Sequence, residues 1–276
     1  MNAMPPPQRR RRTEGTPQVL VWGLVAGVAA LLVAAVIWAV GAQSNAPRLD
    51  PVSFCSKAGP DGVTVVLIDT TDTISPVQRL AITNRLQRIV GKMKANERLD
   101  VYEITPAQDP LSRVFSMCRP TSPDEVDELT QNKRLAAQRF DDTFKPAIEK
   151  VLNSLLDRPA ADSSPVMEAI QAASVRSLQD PALEGKTGTR RLVVVSDMMQ
   201  NGAAGSHYKG APDFEDYRKS PLYPRFTSDL TDVDVTVLYL MHDGGETIQG
   251  RAHQNFWVSW FDAQEVSDLR FSAIEG

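Results

Sequence analysis

Val65-Val66-Leu67-Ile68-Asp69-Thr70-Thr71-Asp72-Thr73 runs four apolar residues into an acid and then sets hydroxyls on alternate positions after it. A short apolar run bounded by polar turn residues reads as a buried strand, which places Asp69 at its end and Thr71 and Thr73 in the loop that follows. A hard cation such as Mg²⁺ takes oxygen ligands and keeps part of its water shell. One carboxylate and two hydroxyls are therefore the beginning of a cation site that needs oxygens from elsewhere in the fold. Two later segments can supply them: Ser163-Ser164-Pro165, which opens a helix, and Asp197, which closes the apolar strand Leu192–Ser196.

In order and spacing these segments resemble the metal-ion-dependent adhesion site (MIDAS) of the von Willebrand factor A (vWA) family, which reads Asp-x-Ser-x-Ser, then a distant Thr, then a distant Asp. Asp69, Thr71 and Thr73 match the first element with Thr for both Ser. Ser164, followed by Pro165-Val166-Met167-Glu168-Ala169-Ile170, stands at the Thr position, and Val193-Val194-Val195-Ser196-Asp197 matches the third element. Where the family commonly has Gly after that Asp, this chain has Met198. Every ligand exchange keeps an oxygen. The resemblance covers residues 60–265 and rests on element order as much as on motif. It implies a Rossmann-like vWA fold and a divalent cation, Mg²⁺ with Mn²⁺ or Ca²⁺ as alternatives, held by Asp69, Thr71, Thr73, Ser164 and Asp197. It also implies a protein partner that lends an acidic residue to the ion, and no reaction.

The order of elements points the same way independently. Strands are expected at Val63–Asp69, Arg98–Thr105, Leu111–Met117, Arg191–Ser196 and Val233–Leu240. Helices are expected at Pro76–Lys94, at Arg134–Leu156 with Pro146 kinking or dividing it, at Pro165–Leu178, and at Gly250–Val266. Pro76 suits a first helical turn, and Pro106 and Pro110 between two close strands favour a hairpin there. Alternation of this kind gives an α/β fold with a doubly wound, mostly parallel sheet, whose ligands bind beyond the carboxyl ends of its strands. Asp162, Ser163 and Ser164 are available to cap the helix that follows them.

Ahead of the domain, Val19–Ala42 contains no charged residue and is long enough to span a bilayer, with Trp22 and Trp38 toward its ends, where indole rings favour the headgroup region. A cleavable signal peptide ending at Val40-Gly41-Ala42 is the alternative, although its apolar core exceeds the usual length. Arg9–Arg12 precede the span and tend to hold that flank in the cytoplasm. The expected plan is a basic tail (1–18), a transmembrane helix (19–42), a linker (43–59) and a vWA-like domain (60–276). The working location is a bacterial inner membrane with the domain in the periplasm.

Four arginines against Glu14 give the first 18 residues +3, leaving −7 for the rest of a chain whose total is −4. An acidic outer part excludes a broad nucleic-acid face, which needs clustered positive charge. The two cysteines, Cys55 and Cys118, form no C-x-x-C pair, so zinc is unsupported. A Cys55–Cys118 disulfide is the leading reading and two buried thiols the alternative.

Enzyme motifs are incomplete. A haloacid-dehalogenase pattern needs Asp-x-Asp-x-Thr, and Asp72 lies one residue too far from Asp69. Glu184-Gly185-Lys186-Thr187 lacks the earlier Gly of a phosphate loop, with Asp180 in its place, and follows a helix rather than a strand. The three histidines, His207, His242 and His253, have no G-x-S-x-G nucleophile to serve and read as solvated loop residues. A metal-dependent phosphohydrolase and a metal-free scaffold of an envelope complex remain as alternatives to the binding module. Partner specificity is assigned to the long segment Gln200–Pro224, which carries Tyr208, Phe214, Tyr217 and Tyr223. The aromatic face Phe256, Trp257, Trp260 and Phe261 reads as packing against the sheet, with a partner surface as the alternative.

Overall fold

The computed structural model describes residues 18–44, 49–71, 73–126, 132–156, 163–208, 210, 213–242 and 248–276. Arg9–Arg12, Asp72 and Asp162 lie outside them. The chain divides into two compact units, Met1–Ala46 and Pro47–Gly276. Helix α1 (Gln18–Ser44) belongs to the first. Its segment Val21–Trp38 has mean hydropathy 2.4 and exposed side chains throughout, and at 1.5 Å per residue covers about 27 Å. It is long and apolar enough to cross a membrane.

The second unit alternates strand and helix. In chain order it runs β1 (Gly62–Asp69), α2 (Pro76–Gly91), β2 (Glu97–Ile104), β3 (Leu111–Cys118), α3 (Lys133–Arg139), α4 (Lys145–Leu156), α5 (Val166–Ala173), β4 (Arg190–Ser196), β5 (Asn201–Gly202), β6 (Gly205–Ser206), α6 (Phe214–Lys219), β7 (Val233–Leu240), α7 (Arg251–Asp262) and β8 (Asp268–Ile274). Six strands form one sheet in the order β3-β2-β1-β4-β7-β8. All neighbours are parallel except β2 and β3, which form the expected hairpin.

Strand β1 is buried along its whole length because the sheet is covered on both faces. Side chains alternate across it. Val63, Val65 and Leu67 pack with Val166, Ile170 and Trp257 of α5 and α7, while Val66 and Ile68 pack with Ile82, Leu86, Ile148 and Leu152 of α2 and α4. The face Phe256, Trp257, Trp260 and Phe261 is buried core, as the packing reading expects.

Four features depart from the sequence reading. The last helix stops at Asp262, and Glu265 takes a left-handed turn (φ 63°) into β8. The strand signal there is the period-two run Leu269, Phe271, Ala273, which follows Asp268 and alternates with Arg270 and Ser272. The segment read as linker is partly built into the domain: Leu49 bridges to Ser56, the Cys118 amide donates to the Ser53 carbonyl at 2.7 Å, and the Cys55–Cys118 disulfide, formed as the leading reading expects, ties it down with Cα atoms 4.8 Å apart. The expected break near Pro146 is a π-turn at Phe140–Phe144, since proline cannot make the i→i−4 bond and its ring crowds that carbonyl. Two of the supposedly solvated histidines, His207 and His253, are buried.

Candidate metal centre

The strand order reverses between β1 and β4, one connection running outward through β2 and β3 and the next through β7 and β8. At such a switch point the loops leaving adjacent strands diverge and open a crevice beyond their carboxyl ends. Asp69 closes β1 there, and Ser196 and Asp197 leave β4 beside it.

Asp69 is only 3% exposed and accepts four hydrogen bonds. Its Oδ1 takes the Thr71 amide at 3.0 Å and the Thr71 hydroxyl at 2.6 Å. Its Oδ2 takes the Ser164 hydroxyl at 2.7 Å and the Ser196 hydroxyl at 2.8 Å. The loop after β1, the start of α5 and the end of β4 therefore meet on one carboxylate. Ser164 does not cap α5, whose first turn follows Pro165 without a side-chain cap. Its hydroxyl is turned to Asp69 instead. Thr73 is exposed and takes no part in this cluster. Ser196 is the member missed from the sequence, where it reads as the last residue of a strand; the signal was a hydroxyl directly before the strand-end acid.

Asp197, also 3% exposed, accepts the Met199 amide on Oδ1 at 2.8 Å and faces His242 Nε2 from Oδ2 at 3.4 Å. Met198 then adopts the left-handed conformation, φ 59°, that glycine would take without strain. For a residue with a Cβ this costs about 1–2 kcal/mol, whereas full burial of a Met side chain contributes about 1.5–3 kcal/mol, and Met198 is fully buried in the core. Burial outweighs strain. The turn is pinned further by the Met198 amide donating to Ser196 Oγ at 2.8 Å and by Trp257 Nε1 donating to the Met198 carbonyl at 3.0 Å.

Three buried glutamines brace the loops of this rim. Gln78 Nε2 donates to the Met241 carbonyl at 2.8 Å. Gln200 accepts the Met167 amide at 2.8 Å and donates to Glu168 at 2.9 Å. Gln249 Nε2 donates to the Leu240 carbonyl at 2.7 Å and the Asp197 carbonyl at 3.3 Å, while its Oε1 accepts the His242 amide at 3.0 Å. Ser164 and Asn201 exchange two backbone hydrogen bonds, so the segment after Asp197 is bolted to the start of α5. Within Gln200–Pro224, Phe214 and Tyr217 pack against Phe256, and Tyr217 is pushed up to about 12 by burial and by Glu168. Tyr208 is half exposed.

Among the described residues no lysine or arginine pairs with Asp69 or Asp197, and no three acid, His or Cys side chains converge to hold an ion alone. A cation here would depend on hydroxyls. They fit it: a hydroxyl that donates its one proton to Asp69 keeps its lone pairs for coordination. Thr71 and Ser164 stand in that state, and Ser196, which also accepts the Met198 amide, keeps one lone pair.

No protein-family profile matches the chain, and no curated protein sequence does. Several solved structures are similar to the chain as a whole. The VWA domain of SpRpn10 is 13% identical with a TM-score of 0.42, over 78% of this chain and 88% of that one. Proximal thread matrix protein 1 from the mussel byssus is 9% identical with a TM-score of 0.38, over 78% and 42%. An aerotolerance-related membrane protein from Bacteroides fragilis, carrying multiple mutations to serines, is 14% identical with a TM-score of 0.33, over 76% and 90%. Likenesses at this level carry no functional inference, and the α/β fold stands on the strand order and register given above.

Proposed function

We propose that this chain is a membrane-anchored, vWA-type binding module that captures a partner protein through a divalent cation at the β1–β4 switch point. The observation that carries this reading is electrostatic. Two buried carboxylates, Asp69 and Asp197, follow adjacent strands onto the rim with hydroxyls and amides around them and, among the described residues, no guanidinium or ammonium paired with them, and burying uncompensated charge is expensive. Asp69, Thr71, Ser164, Ser196 and Asp197 would hold the ion, with Thr73 at the solvent side. The ion would supply a positive point that an acidic side chain of the partner can complete. Tyr208 and the braced segment after Asp197 would flank the docked chain.

The apolar α1 would anchor the module, Arg9–Arg12 would hold its leading end in the cytoplasm, and the Cys55–Cys118 bond suits an oxidising compartment such as a bacterial periplasm. Binding is favoured over hydrolysis because the three hydroxyls around Asp69 are each donated to its carboxylate and none to an imidazole. One observation favours a metal-free scaffold: the four hydrogen bonds on Asp69 already satisfy it.

Calorimetric titration of the detergent-solubilised full chain with Mg²⁺, Mn²⁺ and Ca²⁺ separates the two. Binding of at least one of them, together with partner retention that a chelator abolishes, is the expected result. No heat with any of the three at millimolar concentration would leave the scaffold reading standing alone.

A further inference from the structure

His242 follows β7 by two residues and reaches sideways over the end of β4. Its Nε2 lies 3.4 Å from Asp197 Oδ2, and its ring is 30% exposed, so it lies at the boundary between solvent and the buried acid. Two donors each about 2.1 Å from a common ion sit roughly 3 to 3.5 Å apart, the span of neighbouring ligands on one metal. The pair is not held together by chance contact. Gln249, itself buried, grips the Asp197 carbonyl with its amide nitrogen and the His242 backbone amide with its oxygen. One side chain thus sets the position of both donors, which is how a metal site is pre-organised.

Mg²⁺ and Ca²⁺ favour oxygen, whereas an imidazole nitrogen raises affinity for first-row transition ions in the order that climbs from manganese toward copper. Resting on the reading of this rim as a cation site, we propose that His242 supplies a nitrogen ligand beside Asp197 and makes the centre selective for a transition cation of the manganese-to-zinc group over magnesium or calcium. Only these two side chains need act as charged or imidazole donors. Hydroxyls of Thr71, Ser164 or Ser196 and water complete the shell.

The chain has three histidines, and the other two are buried, so a nitrogen signal can be traced to one residue. The experiment uses the untagged full chain in detergent. Mg²⁺, Mn²⁺ and Co²⁺ affinities are measured by calorimetry, and nitrogen coupling to bound Mn²⁺ is read by pulsed electron paramagnetic resonance, for the wild type and for His242→Ala. The expected wild type binds Co²⁺ at least about tenfold more tightly than Mg²⁺ and shows nitrogen coupling. The variant loses the coupling and about tenfold or more in Co²⁺ affinity while Mg²⁺ affinity changes less than about twofold. Wild type that binds Mg²⁺ and Co²⁺ equally, or nitrogen coupling that survives in His242→Ala, overturns the assignment of His242 and leaves the cation site intact. Absence of binding by every ion overturns the cation site and this inference with it.

Discussion

The two ends of the β-sheet bury acids by opposite means. Toward the amino ends of the strands, Asp100 is fully buried against Arg98 at 3.0 Å, Arg98 also holds Asp180 at 2.6 Å, and Glu97 faces Arg191 at 3.5 Å. Burial works against the charge on Arg98, but Asp100 and Asp180 outweigh it and hold its pKa above the ordinary value. At the carboxyl ends, Asp69 and Asp197 are equally buried and have hydroxyls, amides and one imidazole instead. The first arrangement gives each of its acids a guanidinium and reads as structure. The second, among the described residues, has no lysine or arginine paired with it, and this difference is what the proposed cation site rests on.

The largest effect expected from that contrast is at the closed end. Arg98→Ala removes the guanidinium from fully buried Asp100 and from Asp180 together, and breaking one side of a buried pair costs about 3–5 kcal/mol. Urea unfolding measures it, and divalent cations should not restore the loss. A cost below about 1 kcal/mol would show that Asp100 does not depend on its partner, and the distinction between the two ends would collapse.

At the open end the dependence should be on the cation. A ligand that binds only the folded chain at one hundred times its dissociation constant stabilises by about 2.7 kcal/mol. Thermal or urea unfolding with and without chelator should show a gain of that order, and Asp197→Asn, which keeps the side-chain shape, should remove it. Asp69→Ala is a poorer probe. It would strand the hydroxyls of Thr71, Ser164 and Ser196 in a buried place, so a stability loss would accompany any loss of binding. A cation-dependent gain that persists unchanged in Asp197→Asn would place the ion elsewhere.

Much of this architecture is legible in the sequence because it is local. The apolar run ending at Asp69, the strand ending before Asp197 and the Ser-Ser-Pro start of α5 each announce themselves within a few residues, and their order predicts the switch point. What escapes is held by partners distant in sequence. Gln78, Gln200 and Gln249 read as surface residues by type, and only the fold brings the carbonyls of Met241 and Leu240 and the amide of Met167 within their reach. Ser196 hides inside an apolar strand. Strand β8 is broken by charges that the sheet edge tolerates. His207 and His253 sit 46 residues apart with ring nitrogens 3.0 Å from one another, a pairing no window can show.

That histidine pair sharpens the comparison with the smallest effect, because beneath the open rim titratable groups are buried without charge. His253 Nδ1 meets the Tyr239 hydroxyl at 2.7 Å. Burial, and then the neighbouring His253, push His207 down to about 3, and burial pushes His253 down to about 4. Both folded values lie below the unfolded value near 6.5. Between those limits the unfolded chain takes up protons that the folded chain refuses, so this contribution is complete above pH 6.5 and is lost as the pH falls toward 4 and then 3. At pH 5.5 the loss is about 1 kcal/mol for each histidine. Urea unfolding at pH 7.5 and 5.5 measures it, and the informative quantity is the difference between the two pH values rather than absolute stability, since His207→Gln also alters packing against Phe256. His207→Gln should lose about half of the pH dependence carried by the pair. The same slope in wild type and variant would mean that His207 is protonated in the folded chain, and the rim would then rest on a charged support like that of the opposite end.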